Sequence, residues 1–284
     1  MRRIEHTRTG SPPKKNDRGH ESVDLFTHLL VAFAQLVFAP PLDAEPVAIP
    51  AGAFTRGAVG DPDAEPDEKP ARSIQVSAFA IDRTEVTRAA YARCVAGGRC
   101  ARVPGVSLAD LSSRLPVTQV SWRDAAAYCA AVGARLPTEA EWERAARGGV
   151  DHRRFPWGDV PDCARANFGN FEGEGRCPQH PGRPVEVGRF ASGASPEGVL
   201  DLAGNVWEWT ADYYDARAYR GGASADPRGP AHGRARGPEE LGTQPRRSVR
   251  GGACCSILAS PRLTNRVAFP EDYRDTDLGF RCAR

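Results

Sequence analysis

Eight cysteines carry most of the chemistry open to this sequence: Cys94, Cys100, Cys129, Cys163, Cys177, Cys254, Cys255 and Cys282. A thiolate is a nucleophile and a soft-metal ligand, so spacing decides between catalysis, metal binding and cross-linking. A zinc site calls for two close Cys pairs or a His partner. His152, His180 and His232 stand well apart in Gly- and Pro-containing surroundings, and no HxxxH or HExxH spacing occurs. A His-ligated zinc or iron centre is therefore not expected. Cys94 and Cys100 flank a short loop holding Gly97 and Gly98, and Cys163 and Cys177 flank a Gly-rich one. Each pair suits a local disulfide in an oxidising compartment; the alternative is buried free thiols in a cytosolic protein. Cys254 and Cys255 are adjacent, so in a locally extended chain they point to opposite faces and share a cleft only through a bulge. The chain has no GxSxG, no GxGxxG after a strand and no P-loop, which leaves serine hydrolysis, dinucleotide binding and nucleotide hydrolysis without a motif.

The elements that must position these thiols are short. Residues 47–54 and 74–81 read as strands around an acidic loop. Thr87 caps a helix running to about Val95 and stopped by Gly97-Gly98. Ser121-x-x-Asp124 caps a second helix, whose face Trp122, Ala125, Cys129 and Val132 has the helical period and which Gly133 ends. Thr138-x-x-Glu141 is a capping box for a third, carrying Trp142, Ala145 and Ala146. Beyond Gly148-Gly149 only segments of three to six residues remain (184–187, 206–210, 248–250, 278–282), set apart by Gly, Pro and Asp. No internal repeat occurs.

Composition agrees. With 24 Pro and 29 Gly in 284 residues, helices long enough for a bundle or coiled coil cannot form. Yet 40% of the chain is hydrophobic, and 5 Trp, 6 Tyr and 11 Phe need a core. The net charge of +2 is accounted for by residues 1–24, whose Arg2, Arg3, Arg8, Lys14, Lys15 and Arg18 outnumber Glu5, Asp17, Glu21 and Asp24. The remainder is neutral and has little long-range pull on nucleic acid. One stretch, 217–250, is locally basic and reads as a solvated loop. Residues 25–38, LFTHLLVAFAQLVF, are too short to span a bilayer but match the apolar region of a secretory signal, with basic residues upstream and Pro40-Pro41 behind. The alternative is a short amphipathic helix after a disordered start.

The landmarks also fall in a familiar order. They are Val117-Thr118-Gln119-Val120-Ser121-Trp122, Ala127-Tyr128-Cys129, Arg135-Leu136-Pro137-Thr138-Glu139-Ala140-Glu141-Trp142-Glu143 and Phe155-Pro156-Trp157-Gly158. Ala166-Asn167-Phe168, Gly204-Asn205-Val206-Trp207-Glu208-Trp209, Arg250-Gly251-Gly252 and Leu278-Gly279-Phe280-Arg281 follow. As an ordered set they resemble the formylglycine-generating enzyme (sulfatase-modifying factor) family over roughly residues 46–284, leaving 1–45 as a basic tail and possible signal segment. The resemblance implies one α+β domain with a C-type-lectin-like fold, low regular secondary structure and two or three helices.

The family's name-giving activity oxidises a sulfatase cysteine to formylglycine with copper and oxygen, which needs two thiolates around Cu(I). In active members the Gly-Gly is followed by Ser, with copper cysteines three and eight residues after it. Here those positions hold Ala253, Ser256 and Pro261, so the catalytic pair does not carry over and the remaining thiol candidates are Cys254 and Cys255. The resemblance also implies a structural calcium held by Asp201, Gly204, Val206 and Glu208, two carboxylates and backbone carbonyls forming an oxygen cage; the competing role for Glu208 is an ion pair with an Arg. Asn167 and Phe168 match the start of a second calcium site, whose later ligands fall near residues 177–179, where no carboxylate stands. The His-ligated iron bundle that accompanies some relatives is missing here.

The expectation is an exported (periplasmic or extracellular), calcium-stabilised, monomeric binding or accessory module for a protein or peptide, with no nucleic-acid partner and no stable membrane span. Its binding surface is the cleft between residues 250–257 and 205–209. The competing reading is a copper-dependent oxidase of sulfatase cysteines, using Cys255 with a rearranged partner.

Overall fold

Pro50 divides what reads as one strand into two. In the computed structural model, which describes residues 45–149, 152–169, 177, 180–231, 245–257 and 260–284, β1 (Pro46–Ile49) pairs antiparallel with β4 (Phe79–Asp82). β2 (Gly52–Arg56) pairs antiparallel with β3 (Arg72–Val76) in a separate sheet. Proline lacks the N–H that a continuous ladder needs, so the chain changes partner there. The segment 74–81 likewise divides at Ser77-Ala78. Alternation points Val47, Ile49, Phe54, Ile74 and Val76 inward.

The three capped helices form where their local chemistry places them. They are α1 (Arg88–Ala96), α2 (Trp122–Ala131) and α3 (Glu139–Arg147). Thr87 Oγ1 accepts from the N–H of Ala90 at 3.1 Å. In the box before α3 the Glu141 N–H donates to Thr138 Oγ1 at 3.1 Å and the Thr138 N–H to Glu141 Oε2 at 2.8 Å. Each such cap stabilises by about 1 kcal/mol.

The second half builds one four-stranded sheet in the order β7-β6-β5-β8: β5 (Trp207–Tyr213), β6 (Arg246–Arg250), β7 (Val267–Pro270) and β8 (Leu278–Gly279). β5 runs antiparallel to β6 and parallel to β8. Residues 184–187 form no strand, and β7 was not foreseen. Trp209, Val249, Leu278 and Phe280 pack against Tyr91 and Tyr128 of the first two helices. A second core joins the inward residues of β1–β4 to Trp142, Ala145 and Ala146. A third, smaller one gathers Phe155, Phe168, Cys177 and Ala203.

Both expected disulfides are present, Cys94–Cys100 and Cys163–Cys177, with Cα separations of 5.3 and 5.6 Å. A third, Cys129–Cys282, ties α2 to the chain's end. The stretch 217–250 is not a solvated loop at its C-terminal end: Arg247 and Arg250 lie on β6, both buried. Its middle, 232–244, lies outside the described residues, as does the apolar segment 25–38. No helix among the described residues is long and apolar enough to cross a membrane.

Candidate functional site

Three loops meet at the Cys254–Cys255 turn: 167–169, 201–206 and the one carrying Gly182. The Gly204 N–H donates to Gly251 O at 2.8 Å, Asn205 N–H to Asn167 O at 2.8 Å, Cys254 N–H to Asn205 O at 3.0 Å and Gly169 N–H to Ser256 O at 3.2 Å. Gly204, at φ 102°, admits no side chain: a β-carbon would lie 2.3 Å from the Asn167 carbonyl oxygen. Asp201 and Asn205 also sit at positive φ, 57° and 61°, so this loop is held in a conformation its residues do not favour alone.

The two free thiols share one face. Residues 253–256 form a tight turn, closed by the Ser256 N–H to Ala253 O at 3.0 Å and the Ala253 N–H to Ser256 Oγ at 2.8 Å. The extended conformation that would separate the side chains is absent, and the sulfurs stand 3.3 Å apart. Cys255 is half-buried and donates to Gly182 O at 2.9 Å, whereas Cys254 is 1% exposed. Burial, and then the bond with Cys255, push the Cys254 thiol far above the ordinary thiol range. Ser256 and Pro261, at the positions of the copper ligands, are both buried.

The tryptophans of the 205–209 loop are turned mainly to the core. Trp209 is fully buried, its indole N–H donating to Val120 O at 3.0 Å, and Trp207 is half-buried against the same core. The exposed apolar group beside the turn is Ile257, at 58%. A cleft of about 600 Å³ opens elsewhere, between Arg123, Asp124, Tyr213, Glu271 and Arg274, and none of the loops above lines it.

Glu208 takes the ion-pair role. Arg281 grips it with two bonds of 2.6 and 2.7 Å, the Trp142 indole N–H adds a third at 2.9 Å, and both charged side chains are fully buried. Burial opposes the Arg281 charge, yet Glu208 beside it holds its pKa above the ordinary value. Val206 is buried and Gly204 is fixed by Gly251. Asp201 Oδ2 accepts from the Gly188 N–H at 2.6 Å and faces Glu85, a buried carboxyl the sequence reading missed. Glu85 Oε1 accepts from Asn205 Nδ2 at 3.0 Å, and its buried Oε2 meets no N–H donor and has the Asp201 carboxyl as its neighbour. Burial first, then the neighbouring Asp201 charge, raise Glu85 well above the carboxylate range; Asp201 is raised by burial. Two facing carboxyls are stabilised by a shared proton or by a hard cation. Glu85 and Asp201 fit either occupant, a shared proton or calcium, whereas Glu208, neutralised by Arg281, fits a cation poorly.

Asn167 lies in the same cluster, donating to Arg183 O at 3.0 Å and Asn205 Oδ1 at 3.2 Å, with its own Oδ1 buried and unpartnered. The Phe168 carbonyl is bonded to His180 Nδ1 at 3.0 Å. Of the expected later ligands, 178 and 179 lie outside the described residues, and Cys177 is in a disulfide. Among the described residues, no three His, Cys, Asp or Glu side chains are grouped to hold a metal.

Buried charge anchors the cysteine turn at both ends, which the sequence reading also missed. Arg250, just before Gly251, donates to Glu139 and Glu143 of α3 at 2.9 Å each and to the Tyr219 hydroxyl at 3.0 Å. Arg262 pairs with Glu68 through two bonds of 2.7 Å. Arg266 pairs with Glu139 at 2.6 and 3.0 Å, and Arg56 with Glu139 at 2.9 Å. The only local sign is the spacing Glu139, Glu143, Arg147 on one helix face, where Glu143 and Arg147 pair at 3.1 Å.

Residues 37–284 match the family described as the sulfatase-modifying factor enzyme 1-like domain. A formylglycine-generating enzyme of Thermomonospora curvata is 33% identical, the match covering 84% of this chain and 92% of that one. A Mus musculus protein named inactive C-alpha-formylglycine-generating enzyme 2 is 38% identical over 60% of this chain and 49% of its own. Among solved structures, PvdO from Pseudomonas aeruginosa superimposes with a TM-score of 0.65 at 27% identity, covering 85% of this chain and 94% of that one.

Proposed function

This chain belongs to the formylglycine-generating enzyme (sulfatase-modifying factor) family, of C-type-lectin-like fold, and on that premise we propose that it is an exported, calcium-stabilised binding or accessory module for a protein or peptide, without the family's copper dithiol. One observation carries this reading: the copper positions hold buried Ser256 and Pro261, and neither supplies a thiolate. Cys254 does not substitute well, since its burial opposes the deprotonation that Cu(I) ligation requires. Three disulfides support export. The binding face, in this reading, is the rim formed by Cys255, Gly182 and exposed Ile257. Oxidase activity is the second reading, favoured by the 3.3 Å separation of the two sulfurs and by the names of several relatives. A Cys-containing sulfatase peptide incubated with protein, Cu(I), reductant and oxygen decides between them: mass spectrometry should find the cysteine intact. Conversion of that cysteine to an aldehyde, abolished by Cys255→Ser, would establish the oxidase instead.

Calcium, in this proposal, is held at Asp201 with Glu85 and the carbonyls of the 204–206 loop. It would supply positive charge between two buried carboxyls and so tie the Thr84–Glu85 segment to that loop. Added to chelator-stripped protein at about 100-fold over its Kd, calcium should stabilise the fold by about 2.7 kcal/mol. The unfolding midpoint should rise by about 5–11 °C, and Asp201→Asn should abolish the rise. An unchanged midpoint in the parent protein rejects the site.

A further inference from the structure

We propose that Cys254 and Cys255 form a redox modification site, closing by exchange with a small-molecule or protein disulfide into a vicinal disulfide, an eight-membered ring across their own peptide bond. The tight turn holds the sulfurs at 3.3 Å, so bonding at about 2.05 Å needs an approach of only about 1.3 Å. Three other cysteine pairs in the chain are already joined, so an oxidant that serves them meets these two thiols as well. Accessibility orders the steps. Half-buried Cys255, as its thiolate, attacks one sulfur of the incoming disulfide and releases the other half as a thiol. Cys254, 1% exposed but adjacent, then attacks the Cys255 sulfur and expels the second half. The two protein thiols lose two electrons and two protons, and the acceptor disulfide becomes two thiols.

The ring is labile by construction. Adjacent α-carbons lie about 3.8 Å apart, below the about 4.4–6.8 Å that an unstrained disulfide spans, and strained disulfides are the more easily reduced. The Cys94–Cys100, Cys129–Cys282 and Cys163–Cys177 bridges have Cα separations of 5.3, 5.6 and 5.6 Å. Closure also removes the Cys255 thiol from Gly182 O and so breaks the turn's thiol contact with that loop.

The full-length protein is treated with oxidised glutathione, unfolded with an alkylating agent present, and digested. Trypsin cleavage after Arg250 and Arg262 releases residues 251–262, which contain these two cysteines and no other. The expected product is this peptide lighter by two hydrogens and unalkylated, regaining two alkylation sites after mild dithiol treatment that leaves Cys129–Cys282 intact. Cys254→Ser should stop at a glutathione adduct on Cys255, and Cys255→Ser should react more slowly, since the remaining thiol is buried. Two alkylated thiols, or two glutathione adducts, in the parent protein would overturn the proposal. The readout sits on the cysteines themselves, so its failure leaves the peptide-binding reading standing, and failure of that reading leaves the ring standing.

Discussion

Glu139→Ala should lower the unfolding midpoint by about 6–20 °C, the consequence of removing one partner from a buried charge network at a loss of about 3–5 kcal/mol. Glu139 is 1% exposed and receives Arg56, Arg250 and Arg266. Deleting it leaves three guanidiniums around a void, with Glu143 as the remaining acid for Arg250. Glu139→Gln keeps the volume and removes the charge, so it separates electrostatics from packing and should recover only a minor part of the loss. Because Arg250 and Arg266 bracket the cysteine turn, Glu139→Ala should also raise the alkylation rate of Cys255. An equal midpoint for the alanine variant and the parent would mean that solvent enters the network and solvates the freed arginines.

The same network sets an acid limit. Burial alone would raise Glu139, but Arg266, Arg56 and Arg250 outweigh it and hold the carboxyl well below the ordinary range; Glu143 is likewise lowered, chiefly by Arg250. A carboxyl depressed in the folded state binds protons more readily when unfolded. Its stabilisation is therefore complete above the unfolded Glu value of about 4.3 and is lost as pH falls through the folded one. Midpoints measured downward from pH 6 should fall more steeply in the parent than in Glu139→Gln.

What could be read in advance was what local chemistry fixes. Thr87, Ser121 and Thr138 mark helix starts because each side chain satisfies a backbone N–H within its own first turn. The splitting of 47–54 was legible in principle, since Pro50 stands inside it. The arginines were not. Arg56, Arg250 and Arg266 look like surface charge in sequence, and their shared partner lies 83, 111 and 127 residues away. Glu85 escaped for the same reason, 120 residues from the Asn205 amide that orients it. The cysteine turn differs. Alternation separates 254 from 255 only in an extended chain, and Gly251 and Gly252, at φ 96° and 71°, take the backbone out of extended geometry just before it. Gly252 packs against Pro261, where a β-carbon would lie 2.9 Å from the proline Cα.

Removing Cys129–Cys282 by a double change to alanine should lower stability by about 5 kcal/mol, more than twice the loss from removing Cys94–Cys100. The two bridges close loops of very different size, with sequence separations of 153 and 6. In the chain-entropy account the constraint on the unfolded state grows with the logarithm of loop length, giving about 5 kcal/mol for the long loop and about 2 kcal/mol for the short one. Folded-state contacts favour the variant retaining its structure. The Cys282 N–H still reaches Asp82 Oδ2 at 3.1 Å, and Ala283 exchanges backbone bonds with Arg135 at 2.7 and 2.9 Å. The native ladder therefore survives while the unfolded chain gains freedom. Urea unfolding should show a lower midpoint and a larger m-value for this variant, since an unbridged unfolded chain exposes more surface. If the short-loop variant lost as much as the long-loop one, the stabilisation would reside in packing around each sulfur rather than in restriction of the unfolded chain.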